Sequence, residues 1–449
     1  MNLVNSLVGI LVALGILVTI HEFGHFWVAR RNGIKVLRFS IGFGRPLIRW
    51  HDRHGTEFAI AWIPLGGYVK MLDEREGPVA ASERDQAFNN KTPLQRIAVA
   101  SAGVIANFLF AILAFAALYS VGVRELASYV EAPLDSTPAA LAGFAEGDRI
   151  TALDGQSINS WRGISLALAS RVGDSGELEF QVERNGTERE LSIPVQRWLA
   201  SESEPNPLSN LGLFPDRPDT PAIIGEVFAG GAAAAAGLQA GDRIVAVDGQ
   251  AIENWLDWVA VIQPNGGLDL TVDLIRNGAP LQLTVTPIER DVNGQVQGFI
   301  GAAAAPVEWP ADRLMTFRVA PWTGIWLGLQ DTWEMVHLSF KMLGKMLSGL
   351  VSVQQIGGPI SMAQLAGDSV QGGLESFVRF LAFISISLGV VNLLPIPILD
   401  GGHILFYSIE WLRGRPLSER VQAIGSQLGL LLVMGLMVLA FVNDLGRLG

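Results

Sequence analysis

Four stretches of this chain are long and apolar enough to cross a lipid bilayer, and nothing else in the sequence constrains its fold as strongly. A helical span needs about 20 mainly apolar residues to cover a hydrocarbon core of about 30 Å. Val4 to Val28 meets that length, as does "LQRIAVASAGVIANFLFAILAFAALYSVGV" from Leu94. So do "FVRFLAFISISLGVVNLL" from Phe377 and "VQAIGSQLGLLLVMGLMVLAFV" from Val421. An even number of spans returns both termini to one side. Composition points the same way: 49% of the residues are hydrophobic and 17% charged, the balance of a polytopic α-helical membrane protein.

Lys and Arg set the orientation. The loop between spans one and two carries a dozen, from Arg30 and Arg31 to Lys91 and Arg96, and the loop before span four adds Arg413, Arg415 and Arg420. Those loops are expected in the cytoplasm, and the long acidic stretch between spans two and three outside it. A net charge of −11 without any dense basic run argues against a nucleic-acid partner. With no cysteine, thiol nucleophiles and thiolate ligands are excluded, so a metal would have to use His, Asp or Glu. The N-terminal apolar segment lacks a basic leader and reads as a retained first helix.

The first span holds "LVTIHEFGHFWVAR", residues 17–30, which places His21, Glu22 and His25 among apolar neighbours. Ionisable side chains at membrane depth are costly and usually mark function. On a helix the i, i+4 spacing puts His21 and His25 on one face, able to share one ion, with Glu22 beside them to accept a proton. This is the HExxH arrangement of zinc peptidases. A catalytic zinc wants three protein ligands and one open position. His51 and His54 read as a solvated turn and His337 as part of a polar helix face. The stronger candidate lies in "VVNLLPIPILDGGHILF", where Pro395 and Pro397 break the third span and Asp400 follows the break. Broken helix at that depth is tolerated where it is buried in protein or faces a water-filled cavity. A carboxylate there can complete a His2Asp site.

The outer stretch contains an internal repeat. "PAALAGFAEGDRITALDGQSINSW" is matched by "AAAAAGLQAGDRIVAVDGQAIENW", so Gly147, Asp148, Asp154, Gly155 and Trp161 correspond to Gly241, Asp242, Asp248, Gly249 and Trp255. Each copy predicts a compact αβ module with a later hairpin at Arg-Asn-Gly. Beyond them, "WTGIWLGLQDTWEMVHLSFKMLGKMLSGL" carries Asp331, Glu334, Lys341 and Lys345 along one side and is expected to lie at the membrane interface, with Trp322, Trp326 and Trp333 at that depth.

Taken together, HEFGH in the first span, "FNNKTPLQRIAVASAGVIAN" entering the second, the two outer repeats and "NLLPIPILDGGH" resemble the site-2 intramembrane metalloproteases over nearly the whole chain. The resemblance implies Zn2+ as cofactor, His21, His25 and Asp400 as its ligands, and Glu22 as catalytic base. It further implies substrate contacts at Asn392, Pro395 and Pro397, and makes the repeats PDZ-like. The stretch 38–71, with Gly66 and Gly67 at a turn, would be a membrane-re-entrant β-hairpin that offers its edge to an unwound substrate. One departure is Val104 after Gly103, where many members read Gly-Pro; it bears on helix geometry near Asn107.

The expected order is then a first transmembrane helix with HExxH over 1–30, a re-entrant β region over 35–72 and a second transmembrane helix over 94–122. PDZ-like domains follow over 125–215 and 220–306, then interfacial amphipathic helices over 311–350. A third transmembrane helix over 374–395, a broken segment with the third ligand over 396–412 and a fourth transmembrane helix over 421–443 complete it.

The implied activity is cleavage of single-span membrane proteins within the bilayer, such as an already trimmed anti-sigma factor, and of remnant signal peptides, in an envelope stress response. The implied place is a bacterial inner membrane, with the PDZ-like pair periplasmic and the zinc site near the cytoplasmic side. Two rivals stand beside it. A non-catalytic PDZ adaptor or chaperone with a vestigial zinc site has no need of Glu22. A metal transporter predicts ionisable residues continuing across the membrane, and spans two and four offer essentially none.

Overall fold

The computed structural model describes residues 3–292, 295–307 and 309–448. Four helices among them are long and apolar enough to span a bilayer: Ser6–Arg31, Pro93–Val121, Gly373–Leu393 and Glu419–Arg447. Several small sheets accompany them, so the chain is a polytopic membrane protein with β content. The second span begins sharply because Thr92 and Gln95 form a reciprocal capping box, with Pro93 at the first helical position. It is the hub of the bundle, packing against the first and third spans and the helix Pro321–Leu347.

Between the first two spans, Val36–His51 and Glu57–Met71 pair with each other, but not as a simple hairpin. Residues 38–41 pair with 57–60 on one side and with 67–70 on the other, while 46–51 pair with 57–61. The result is a sheet of four segments in the order 46–51, 57–61, 36–41, 67–71. Positive φ at Gly42, Gly44 and Gly66 (87°, 90° and 116°) makes the bends. Sequence alternation predicts the strands but not this doubling back, since register shifts leave the two-residue period intact.

Two four-stranded sheets share one strand order. In the first module it is Gln156–Ser157, Arg149–Leu153, Gly176–Arg184, Thr187–Val195. In the second it is Gln250–Ala251, Arg243–Val247, Leu270–Arg276, Ala279–Val285. Each has its own apolar core, one around Leu153, Ile164 and Phe180, the other around Trp258 and Val272. Each also buries one aspartate against one arginine: Arg184 donates to Asp148 at 2.6 and 2.7 Å and to Gly143 O, while Arg276 donates to Asp242 at 2.7 Å and to Gly237 O.

The polar stripe of Pro321–Leu347 faces protein. Asp331 accepts from Tyr119 and Arg162, Gln156 approaches Glu334 at 3.3 Å, and Lys345 donates to Ser170 O, Val172 O and Asp174. The first module therefore covers charges that the sequence alone assigns to the membrane interface, while Trp322, Trp326 and Trp333 stay exposed. A Cβ on Gly328 would sit 2.5 Å from Ile112 O, so this helix meets the second span backbone to backbone.

Pro359–Gln371 is a helix that the sequence reading did not mark. Its first turn is capped from a distance by Asp444 of the last span, which accepts from the N–H groups of Gly358, Ile360 and Ser361. After the third span, residues 394–399 form the break. Ile396 N–H bonds Leu394 O and Ile398 N–H bonds Ile396 O, both at 2.7 Å, so Pro395 and Pro397 each centre a three-residue turn that needs no N–H from them. The helix Asp400–Arg413 follows. Gly401 and Gly402 let it start hard against the break, since a Cβ on either would lie 2.3 Å from a carbonyl oxygen.

Candidate metal centre

The first span carries His21 and His25 on one face, against the N-terminal half of the second span. Gly103 makes this approach possible. A Cβ there would lie 2.4 Å from His25 Nε2 and 2.6 Å from His21 Cε1. The helix following the break brings Asp400 to the same point, and a buried ion pair from Arg96 to Glu410 ties that helix to the second span. Among the described residues, this is the group of His, Asp and Glu whose donor atoms converge.

Those atoms form a nearly equilateral triangle. His21 Nε2 and His25 Nε2 are 3.2 Å apart, and Asp400 Oδ2 is 3.2 Å from the first and 3.4 Å from the second. A tetrahedral zinc with bonds of about 2.0–2.1 Å has ligand-to-ligand edges of about 3.3–3.4 Å. Asp400 Oδ2 is buried without a hydrogen-bond partner. An acceptor oxygen facing two ring nitrogens at this spacing fits one small divalent cation.

The outer hydrogen bonds agree. His25 Nδ1 lies 2.8 Å from Val99 O, an acceptor, so Nδ1 carries the proton and Nε2 keeps its lone pair. His21 Nδ1 lies 3.2 Å from the amide of fully buried Asn107, whose Oδ1 has no partner. Turning that amide over makes Oδ1 accept from Nδ1–H and frees His21 Nε2 in turn; O and N of an amide are assigned from such networks. Ser385 fixes Asn107 further by donating to its carbonyl at 2.9 Å.

Glu22 lines a cavity of about 370 Å³ together with His25, Asp400, His403, Tyr407, Val69 and other residues. The sheet edge formed by 67–71 runs along it, and Gly67 packs on Glu22: a Cβ there would be 3.1 Å from Glu22 Cγ. Other expected site residues lie apart. Gly66 sits at the bend against Phe43, Asn392 lies in the last turn of the third span, and Pro395 and Pro397 lie on the break, all outside the lining of this cavity. Pro397 instead packs on the last span, where Ser426 donates to its carbonyl at 3.2 Å and Gly425 and Gly429 leave room. His51 is exposed at the end of its strand, His54 is exposed in the turn that follows, and His337 is on the helix Pro321–Leu347.

Residues 9–436 match the family model described as peptidase family M50. The chain belongs to peptidase family M50. Relatives match it over their full length. The regulator of sigma-E protease RseP of Salmonella typhimurium is 43% identical over 445 residues, 99% of either chain. Protease RseP of Yersinia pestis is 44% identical over 451 residues, 100% of either chain. The Escherichia coli K12 regulator of sigma-E protease RseP is 42% identical over 444 residues, 99% of either chain. The M50 assignment makes this chain a zinc metalloprotease of the site-2 type and sets the non-catalytic adaptor aside.

Two residues beside the donor atoms, Gly103 and Asn107, carry no role in the sequence reading. Their signal is their place in the motif entering the second span, where Val104 after Gly103 bears on helix geometry near Asn107 and not on the chemistry.

Proposed function

We propose that this chain hydrolyses peptide bonds of single-span membrane proteins inside or at the edge of the bilayer. His21, His25 and Asp400 would hold the zinc, which in such a site lowers the pKa of a water toward about 7 and polarises a carbonyl. Glu22 takes the proton of the attacking water on its carboxylate as the oxygen adds to the scissile carbon. It then delivers that proton to the departing amide nitrogen as the C–N bond breaks. The observation that carries this reading is the triangle of His21 Nε2, His25 Nε2 and Asp400 Oδ2 beside the cavity that Glu22 lines.

A transmembrane helix hides its carbonyls in i to i−4 bonds and must unwind to be cut. The segment 67–71 pairs on one side only, with 36–41, and its other edge borders the cavity. An extended substrate would add there as a further strand. Phe43, Leu47, Ile48, Trp62 and Ile63 are exposed at the far end of this sheet, which supports its insertion into the membrane as a re-entrant element. The end of the third span and the proline break would grip the substrate through Asn392, Pro395 and Pro397.

The two outer modules we read as PDZ-like domains acting as a size filter over the cavity. They would lie in the periplasm, with the zinc site near the cytoplasmic side of an inner membrane. Substrates would be anti-sigma factors that have already lost their outer domain, and remnant signal peptides. The test compares wild type with Glu22→Gln in detergent on a tagged single-span protein with a short outer segment. Cleavage by wild type alone, abolished by a zinc chelator, supports the reading; equal cleavage by both removes Glu22 from the mechanism.

A further inference from the structure

An apolar groove of about 820 Å³ runs along the seam of the first and second spans, and no residue of the metal centre lines it. Gly24 sets its floor. A Cβ there would lie 2.3 Å from Ala102 O, so the two backbones touch and leave Phe23, Trp27, Ile105 and Leu109, each about half exposed, standing as walls.

Where the first span ends, the groove meets a second cavity of about 480 Å³, with Trp27 as their common wall. This cavity is basic: Arg30, Arg31 and Lys35 line it. Arg30 is neutralised by Asp52 and Lys35 by Glu83. Arg31 has no carboxylate partner among the described residues, and its guanidinium lies over the Trp27 ring, 5.1 Å from the centroid. Lys91 also lacks one, and its Nζ lies 3.5 Å from where a Cβ on Gly33, another lining residue, would stand.

We propose that this composite site binds one anionic phospholipid, with acyl chains in the groove and the head-group phosphate between Arg31 and Lys91. Each part has its reason. The groove offers lipid-facing apolar walls, Trp27 suits the depth where chain meets head group, and two unneutralised cations wait at that depth. A substrate helix would use the groove but leave those cations without a counter-charge. The proposal rests on membrane insertion of the first two spans and not on the catalytic assignment.

The test is native mass spectrometry of the full chain in detergent with dioleoyl phosphatidylglycerol, dioleoyl phosphatidylcholine or inorganic phosphate. Wild type and Glu22→Gln are expected to retain one phosphatidylglycerol roughly tenfold more than phosphatidylcholine, since two interfacial cations act on its net charge. Phosphate should not displace it. Arg31→Glu with Lys91→Glu should lose the preference, as should the milder Arg31→Gln with Lys91→Gln if the reversal fails to fold. Ala98→Phe, which fills the groove, should lower retention of both lipids. Equal retention of the two lipids by wild type, or variants indistinguishable from it, would overturn the site. Displacement by phosphate would make it a free-anion pocket, and displacement by a substrate-span peptide would make the groove a helix-docking surface; either outcome also overturns the proposal.

Discussion

The second span carries two buried polar clusters, and they differ in one respect. Near its C-terminal end, Tyr119 joins Glu125, Arg162, Asp331 and Arg379, and each charge meets its opposite: Arg162 reaches Asp331 at 3.1 Å and Glu125 at 3.4 Å, and Arg379 reaches Glu125 at 3.7 Å. No side-chain atom of that cluster is buried without a partner. Toward the N-terminal half, His21, His25, Asp400 and Asn107 leave Asp400 Oδ2 unpartnered, while Asn107 Oδ1 is met by His21 Nδ1 once its amide is turned. The first cluster is closed and fastens parts of the molecule together. The second is open, because its acceptors converge on a point where no proton or cation of the chain stands. Burying an unmet polar atom costs about 1–3 kcal/mol, so an arrangement that keeps Asp400 Oδ2 unmet between two ring nitrogens is built around something it takes up.

The comparison breaks first at Gly103. Gly103→Ala drives a methyl group into both imidazoles, and a loss of on the order of 100-fold or more in cleavage is expected, since misplaced reacting groups are penalised that strongly. Zinc content by mass spectrometry should fall with it, while thermal unfolding in detergent stays close to wild type. Next comes Asn107→Leu, which leaves His21 Nδ1 without an acceptor. Loss of such an orienting partner costs roughly 10- to 100-fold in metal affinity, readable by chelator competition.

The closed cluster should respond in the other currency. Arg162→Met leaves Asp331 with Tyr119 alone and Glu125 with only the longer Arg379 contact, in a mostly buried place. We expect on the order of 1–3 kcal/mol less stability, discounted for partial exposure, with cleavage per folded molecule near wild type. Faster hydrogen exchange in the helix Trp161–Arg171 would confirm it; a collapse of activity in fully folded protein would show that the two clusters are not distinct. Lys345→Met should act in the same direction, by about 1 kcal/mol, because it removes a pair and two hydrogen bonds to the first module.

The smallest effect belongs to the second module. Burial pushes the Asp242 carboxyl up, but the hydrogen bonds from Arg276 and from the Gln239 N–H outweigh it and hold the group below its usual range. Its folded-state value is thus depressed. The stability it contributes is present above the unfolded value near 4 and is lost as pH falls through the lower folded value. Hydrogen exchange in Arg243–Val247 should therefore quicken only below about pH 4.

What could be read in the sequence follows the range of the forces involved. The four spans were legible because apolar length is a local property, and the duplicated outer text because each copy writes its own Asp-Gly and Asn-Gly turns, with Asp154, Asp248, Asn185 and Asn277 all at positive φ. His21, Glu22 and His25 were legible as one helical face, and Asp400 as a carboxylate beyond a proline break. Gly103 and Asn107 were not, because their meaning lies in a contact with a helix some eighty residues earlier. The helix Pro359–Gln371 escaped for a like reason: Asp444 caps it across 84 residues for the Ile360 bond. The stripe of Pro321–Leu347 reads in sequence as facing head groups, and only packing shows Asp331 and Lys345 meeting the first module.

The most direct test of the account is zinc K-edge absorption with metal content on wild type and Asp400→Ala. One zinc per chain is expected in wild type, with two imidazole nitrogens and a carboxylate oxygen at about 2.0–2.1 Å, and loss of that signal or of the metal in the variant. Full zinc with an unchanged spectrum in Asp400→Ala would contradict it.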